Sequence, residues 1–200
     1  IAENPRLKYL DVSSNLLRGG LPTSIANLGS LTHLDVSYNR FESDLPGGYM
    51  AELTNLKTLL LTEDDGMGVG PLPLWLREMT NLEHLSFRLA TRTGTIPTWF
   101  GELTKLELLD LDWNHISGTI PTELGLLTNL KYLMLNRNFL TGTVPTAVSY
   151  LPALKILMLD TNSFENTILV GDDQSCEANR AGRINHLIAD CGTLEETPKK

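Results

Sequence analysis

Hydrophobic positions in this chain recur in short identical blocks. In LKYLDVSSN, beginning at Leu7, apolar side chains occupy offsets 0, 3 and 5, and an asparagine stands at offset 8. The same frame restarts at Leu31, Leu56, Leu82, Leu106, Leu130 and Leu154, with spacings of 24, 25, 26, 24, 24 and 24 residues. Leucines at offsets 3 and 5 with a polar or variable residue between them have the period of a half-buried strand. Strands repeated at a fixed interval of this size predict a solenoid. Successive strands would stack in parallel about 4.8 Å apart, leucines inward. No unit can bury its leucine face alone, so each depends on its neighbours.

The polar positions of the frame are as regular as the apolar ones. Asn15, Asn39, Asn114, Asn138 and Asn162 share offset 8, where both ends of an amide can satisfy backbone groups that burial would otherwise orphan. Proline follows at offset 15, as Pro22, Pro46, Pro97, Pro121 and Pro145, where it turns the chain and ends hydrogen bonding. The third unit departs from this. Its segment TEDDGMGVGPLPLW, residues 62–75, puts Asp64 at the asparagine position and carries two inserted residues before Pro73. In the fourth unit Ala90 takes the asparagine position, and Arg92 replaces an apolar residue. The glycines of 62–75 lack the following lysine and helix of a phosphate loop, and the acids lack the spaced ligands of a calcium loop. Two adjacent irregular units in an otherwise consistent array mark a place for function or strain.

The full pattern, LxxLxLxxNxLxGxIPxxLGxLxx, resembles the plant-type leucine-rich repeat family, and HISGTIPTELGLLTNLKYLMLNRN, from His115 to Asn138, matches it closely. The resemblance implies an α/β leucine-rich repeat solenoid. This would be a curved right-handed superhelix with a parallel sheet on the concave face and short strands, turns and 3-10 segments on the convex face. Residues 1–169 would form the array, seven units preceded by the tail of another, since IAENPRL aligns with IANLGSL at 25–31. That alignment implies an earlier unit before Ile1. Residues 170–200 would form a C-terminal cap in which INHLIADC, 184–191, keeps the apolar offsets as a degenerate final strand.

Composition narrows the function. A net charge of −8, with both signs interspersed, disfavours nucleic acid and anionic membrane surfaces, which select a basic face. No apolar run approaches the roughly 20 residues that span a bilayer. Cys176 and Cys191 stand 15 residues apart. They are either a disulfide, which would contribute about 3 kcal/mol by loop-closure entropy, or two free thiols. A disulfide suits an oxidising compartment, and the resemblance also points to the cell surface or the extracellular space.

Enzyme chemistry finds no foothold. His33, His84, His115 and His186 lack metal-ligand spacing, no serine sits in a Gly-x-Ser-x-Gly elbow, and neither a metal nor a cofactor is implied. In the resembled family, ligands bind outward residues of the strand sheet, which are those at offsets 2, 4, 6 and 7. Asp11, Ser13, Asp35 and Ser37 there match common scaffold text. His33, Tyr38, His84, Arg88, Trp113, Tyr132, Met134 and Arg137 depart from it, and Trp, Tyr and Arg are the types enriched at binding hot spots. Asp112, Asn136 and Asp160 form a column that reads as a solvated acidic stripe, with too few oxygens for calcium. Thr95, Thr119 and Thr143 align on the other face. The expectation is a non-catalytic module that binds a protein, peptide or glycan, as the ectodomain of a receptor-like protein or a secreted relative. The alternative is a structural or accessory subunit docked permanently in a larger assembly or cell wall, which would show a broad apolar patch instead of a few anchors.

Overall fold

The computed structural model describes residues 3–42, 47–63 and 67–164, together with the backbone of 186–188. Cys176, Cys191, Asp64 and the expected boundary at 169/170 lie outside the described residues. The three-residue strands Tyr9–Asp11, His33–Asp35, Thr58–Leu60, His84–Ser86, Leu108–Asp110, Tyr132–Met134 and Ile156–Met158 pair in parallel and in chain order, and His186–Ile188 adds an eighth. Pairing joins equal offsets, so Leu34, Leu59, Leu85, Leu109, Leu133 and Leu157 form one fully buried row. Leu31, Leu56, Leu82, Leu106 and Leu130, at offset 0, form a second. This is the expected solenoid, with a sheet along one side and a leucine core behind it.

The opposite side is built from 3-10 segments, Thr23–Asn27, Gly48–Glu52, Leu74–Glu78, Thr98–Glu102 and Thr122–Leu126, and one α-helical turn, Thr146–Ser149. Pro22, Pro73, Pro97, Pro121 and Pro145 stand directly before five of these six, each extended with φ between −73° and −60°. Proline's fixed φ suits the entry to such a turn, and its missing N–H is one the turn would not use. Neighbouring segments approach so closely that a Cβ on Gly125 would lie 2.5 Å from Cβ of Ala147. Between sheet and turns run short second strands, as in the three-stranded ladder of Ser117–Gly118, Phe139–Gly142 and Ser163–Phe164.

One regular feature is invisible in the residue types. Offset 7 is left-handed in every unit, at Ser14, Tyr38, Glu63, Leu89, Trp113, Arg137 and Thr161, with φ between 52° and 58°. Strict alternation from the leucine at offset 5 would send offset 7 inward and offset 8 outward. The left-handed residue slips this phase by one place, so that offset 7 stands out and the asparagine turns in. Its N–H still continues the ladder, as in Tyr38 N–H to the Thr62 carbonyl at 2.9 Å and Arg137 N–H to the Asp160 carbonyl at 2.8 Å. A non-glycine residue in this region costs roughly 1–2 kcal/mol. Glu63→Gly, at an exposed side chain, should therefore raise the unfolding free energy by up to about 1 kcal/mol, part of the gain being lost to glycine's backbone entropy. Urea denaturation checks this, and an unchanged or lowered midpoint would show that the conformation carries no strain.

The slip delivers the asparagines to the core. Asn138 Nδ2 donates to the carbonyls of Leu111, Leu135 and Asn136 at 2.9, 3.2 and 3.1 Å, and its Oδ1 accepts the Ile116 N–H at 3.0 Å. Asn39 and Asn162 repeat this scheme. Asn15, in the first unit, is exposed, and among the described residues its side chain bonds the carbonyls of Val12 and Ser13 alone.

The irregular pair of units is repaired differently. Arg92 is 2% exposed. Its Nε donates to the Ala90 carbonyl at 2.6 Å and its Nη2 donates to the carbonyls of Met67 and Gly68. Thr91, itself left-handed at φ 52°, adds hydroxyl contacts to the carbonyls of Gly68 and Ala90 at 2.9 and 2.8 Å. Asn114 then accepts both Ala90 N–H and Arg92 N–H on its Oδ1. Where Ala90 removes the amide, a guanidinium from two residues on supplies donors to the glycine-containing insertion.

Candidate functional site

The outward face of the sheet is set by strand register. Offset 2 aligns Tyr9, His33, Thr58, His84, Leu108, Tyr132 and Ile156 in one row. Offset 4 aligns Asp11, Asp35, Leu60, Ser86, Asp110, Met134 and Met158 in the next. The character of both rows changes along the array. Units one and two carry acids, an imidazole and a tyrosine, whereas units five to seven carry Leu108, Tyr132, Ile156, Met134 and Met158 with the single acid Asp110.

Within this frame the sequence-singled residues fall into separate groups. His33 stacks on Tyr9, ring centroids 4.0 Å apart, far from the later units. His84 lies two strands from His33 and contacts Thr58 Oγ1 through Nδ1 at 3.4 Å. Tyr38 is 45% exposed at its left-handed position. Tyr132 and Met134 are half-buried on one strand of the apolar end.

Arg88, Trp113 and Arg137 form a single connected assembly, and the residue that connects them is Asp112. Arg88 Nε meets Asp112 Oδ2 at 3.0 Å. Arg137 Nη1 meets Asp112 Oδ1 at 3.3 Å, while its guanidinium carbon sits 5.1 Å from the Trp113 ring centroid. Trp113 remains 52% exposed. The arginine charge is held over the indole face by the ring quadrupole. Hydrogen bonding to Asp112 is the largest cause of a raised Arg88 pKa, with smaller contributions from Asp110 and Tyr38.

Offset 6 differs from the sequence expectation. Ser37, Thr62, Asp112 and Asn136 are 3%, 9%, 6% and 4% exposed, so the column of Asp112 and Asn136 is not a solvated stripe. Polar contacts run across the strands instead. Thr62 Oγ1 contacts Ser86 Oγ at 2.9 Å, and Ser86 Oγ donates to Asp110 Oδ2 at 3.3 Å. Asp110 Oδ1 accepts the Asp112 N–H at 3.0 Å. Burial raises the Asp110 pKa above its ordinary value. The stability associated with this shift is fully present below the ordinary aspartate pKa and is lost as pH rises through the raised one. The sequence reading places Asp112 in a solvated acidic column and singles out neither Asp110 nor Ser86, so none of the three was expected to form the site. The available signal was the presence of arginines at offset 6 one unit before Asp112 and offset 7 one unit after it.

Among the described residues no three His, Cys, Asp or Glu side chains converge to hold a metal ion, and no helix is long and apolar enough to cross a membrane.

Residues 6–28, 30–50, 105–127 and 129–151 match the Leucine Rich Repeat family. These are units one, two, five and six, and the matched spans pass over the irregular third and fourth. Over 60 residues the chain is 35% identical to Receptor-like protein 13 of Arabidopsis thaliana, covering 30% of this chain and 6% of that protein. The Arabidopsis receptor kinase HAESA, solved in complex with the peptide hormone IDA and the co-receptor SERK1, aligns with a TM-score of 0.73 at 33% identity. That alignment covers 82% of this chain and 27% of HAESA's. A TDR receptor aligns with a TM-score of 0.76 at 26% identity, covering 94% and 36% of the two chains. The chain spans only a minor part of each of these proteins.

Proposed function

We propose, from the premise that this chain is a leucine-rich repeat array of the plant receptor-like type, that it is a non-catalytic recognition module displayed outside the cell. Its ligand is a protein, peptide or glycan held against the sheet face, with His33, Tyr38, His84, Arg88, Trp113, Tyr132, Met134 and Arg137 as the contact set. The observation that carries this reading is the assembly around Trp113. A half-exposed indole, stacked by an arginine that is tied to a buried carboxylate, is a rigid anchor of the type that dominates interface energetics. The backbone beneath it is fixed by two neighbouring strands, so a ligand pays little ordering entropy. Similarity to HAESA, whose solved complex contains a peptide hormone and a co-receptor, supports the same reading.

The test is affinity capture from an extracellular protein and peptide fraction with the chain immobilised. The double variant Trp113→Ala/Arg137→Ala should lose captured partners by tenfold or more while its melting temperature stays within a few degrees. Retention of every partner by the variant places recognition elsewhere on the solenoid.

A further inference from the structure

Resting on the recognition reading above, we infer that Met134 and Met158 form a paired modification site, where oxidation by hydrogen peroxide turns the apolar end of the sheet face polar and releases its ligand. The chain holds five methionines, and they divide sharply by exposure. Met50, Met67 and Met79 are 0%, 3% and 0% exposed in the core. Met134 and Met158 are half-buried, each the last residue of its strand. Parallel pairing sets the two side by side at offset 4.

Offset 4 does not call for sulfur. The leucines at offsets 3 and 5 already fill the core, and Leu60 holds offset 4 in the third unit. A side chain that resists oxidation therefore fits the position. Two thioethers on adjacent strands instead give a continuous stretch of the row one shared chemistry. Beside them at offset 2 lie Leu108, Tyr132 and Ile156, so Met134 and Met158 are the members of this apolar patch that carry sulfur.

The reaction balances with peroxide as the oxidant. A sulfur lone pair attacks one peroxide oxygen, the O–O bond breaks and an S–O bond forms. The departing hydroxide takes the proton carried by the transferred oxygen and leaves as water. Sulfur gives up two electrons, the peroxide gains them, and the product is methionine sulfoxide. A flexible apolar side chain becomes a polar one with an exposed acceptor oxygen. Leu108 and Ile156 have no donor for that oxygen, so an apolar ligand settling over the row would strip water from two sulfoxides with no hydrogen bond in return. Enzymatic reduction of the sulfoxide restores the original surface, which makes the change reversible.

Each methionine falls in a different tryptic peptide, so mass spectrometry assigns every added oxygen. Under limiting hydrogen peroxide, the peptides holding Met134 and Met158 should gain one oxygen each, at least about tenfold faster than the other three. The oxidised chain should then lose the partners captured from the extracellular fraction by about tenfold, and methionine sulfoxide reductases should restore them. Its melting temperature should stay within a few degrees of the parent's. The double variant Met134→Leu/Met158→Leu is compared only with itself: whatever it captures should be the same before and after peroxide. Equal oxidation of all five methionines overturns the inference, and so does loss of capture through unfolding. Capture that survives oxidation of both sites overturns it and leaves recognition standing. Loss of partners by the peroxide-treated double variant puts the sensitive group elsewhere and overturns it as well. Capture of nothing by the untreated chain overturns the recognition reading and the release step together.

Discussion

Asn138→Ala should lower the unfolding free energy by about 3 kcal/mol, several times the loss from Asn15→Ala. The two asparagines hold the same offset of the same nine-residue frame, LKYLDVSSN and LKYLMLNRN, so spacing cannot separate them. Their surroundings do. Removing the Asn138 amide strips four hydrogen bonds, yet the bonds are not equal in consequence. The carbonyls of Leu111 and Leu135 also accept from Asn114 and Asn162, and that of Asn136 accepts Trp113 N–H, so each keeps one donor. Ile116 N–H has Asn138 Oδ1 as its acceptor in a buried setting, and its orphaning costs about 1–3 kcal/mol on its own. The lost donations and the small cavity make up the remainder. Asn15 is exposed, water can replace both of its bonds, and its truncation should cost less than about 1 kcal/mol. Urea midpoints of the two variants decide the matter, and equal midpoints would remove the amide column from the account of stability.

Arg92→Met should cost a similar amount, about 3 kcal/mol, with a local signature that the asparagine variant lacks. Methionine fills much of the same volume, so packing is largely kept and the change isolates the donors. Ala90 and Gly68 carbonyls retain the Thr91 hydroxyl, whereas the Met67 carbonyl loses the Arg92 Nη2 donor. The turn at Met67–Val69 should therefore open before the array does. Limited proteolysis should cut there at denaturant concentrations where the parent chain is intact. Arg92→Lys should not rescue, because one ammonium cannot reach carbonyls on both sides of a planar fork. If Arg92→Met resists protease as the parent does, the insertion is held by something other than the guanidinium.

These two positions also show what the sequence made legible. Leucine and asparagine spacing disclosed the units, strand order, register and proline-led turns, because each depends on residue types recurring at one offset. The left-handed residue did not show, since serine, tyrosine, glutamate, leucine, tryptophan, arginine and threonine have no common chemistry. That conformation is imposed by the ladder bond of its N–H and by the demand that the next side chain turn inward. Burial at offset 6 was hidden for a related reason: strand alternation turns Asp112 outward, and its contacts with Arg88 and Arg137 come from one unit away on either side. Arg92 read as a charge in an apolar place, and its purpose emerged only with the insertion's carbonyls around it. Trp113 and Arg137 stood out as departures from the repeat, but nothing in their spacing announced that Asp112 would join Arg137 to Arg88.

The left-handed slip at offset 7 also bears on how such a chain can change. It places the most freely variable side chain immediately before the most demanding one, and it separates them by backbone geometry rather than by distance. Substitution at the outer position leaves the amide column untouched, so new specificities can be sampled there at a backbone cost that the seven residues now in place already bear. A library randomised at residues 14, 38, 63, 89, 113, 137 and 161 would diversify a single continuous line along the sheet edge. The scaffold tolerates novelty at the place where a partner would read it.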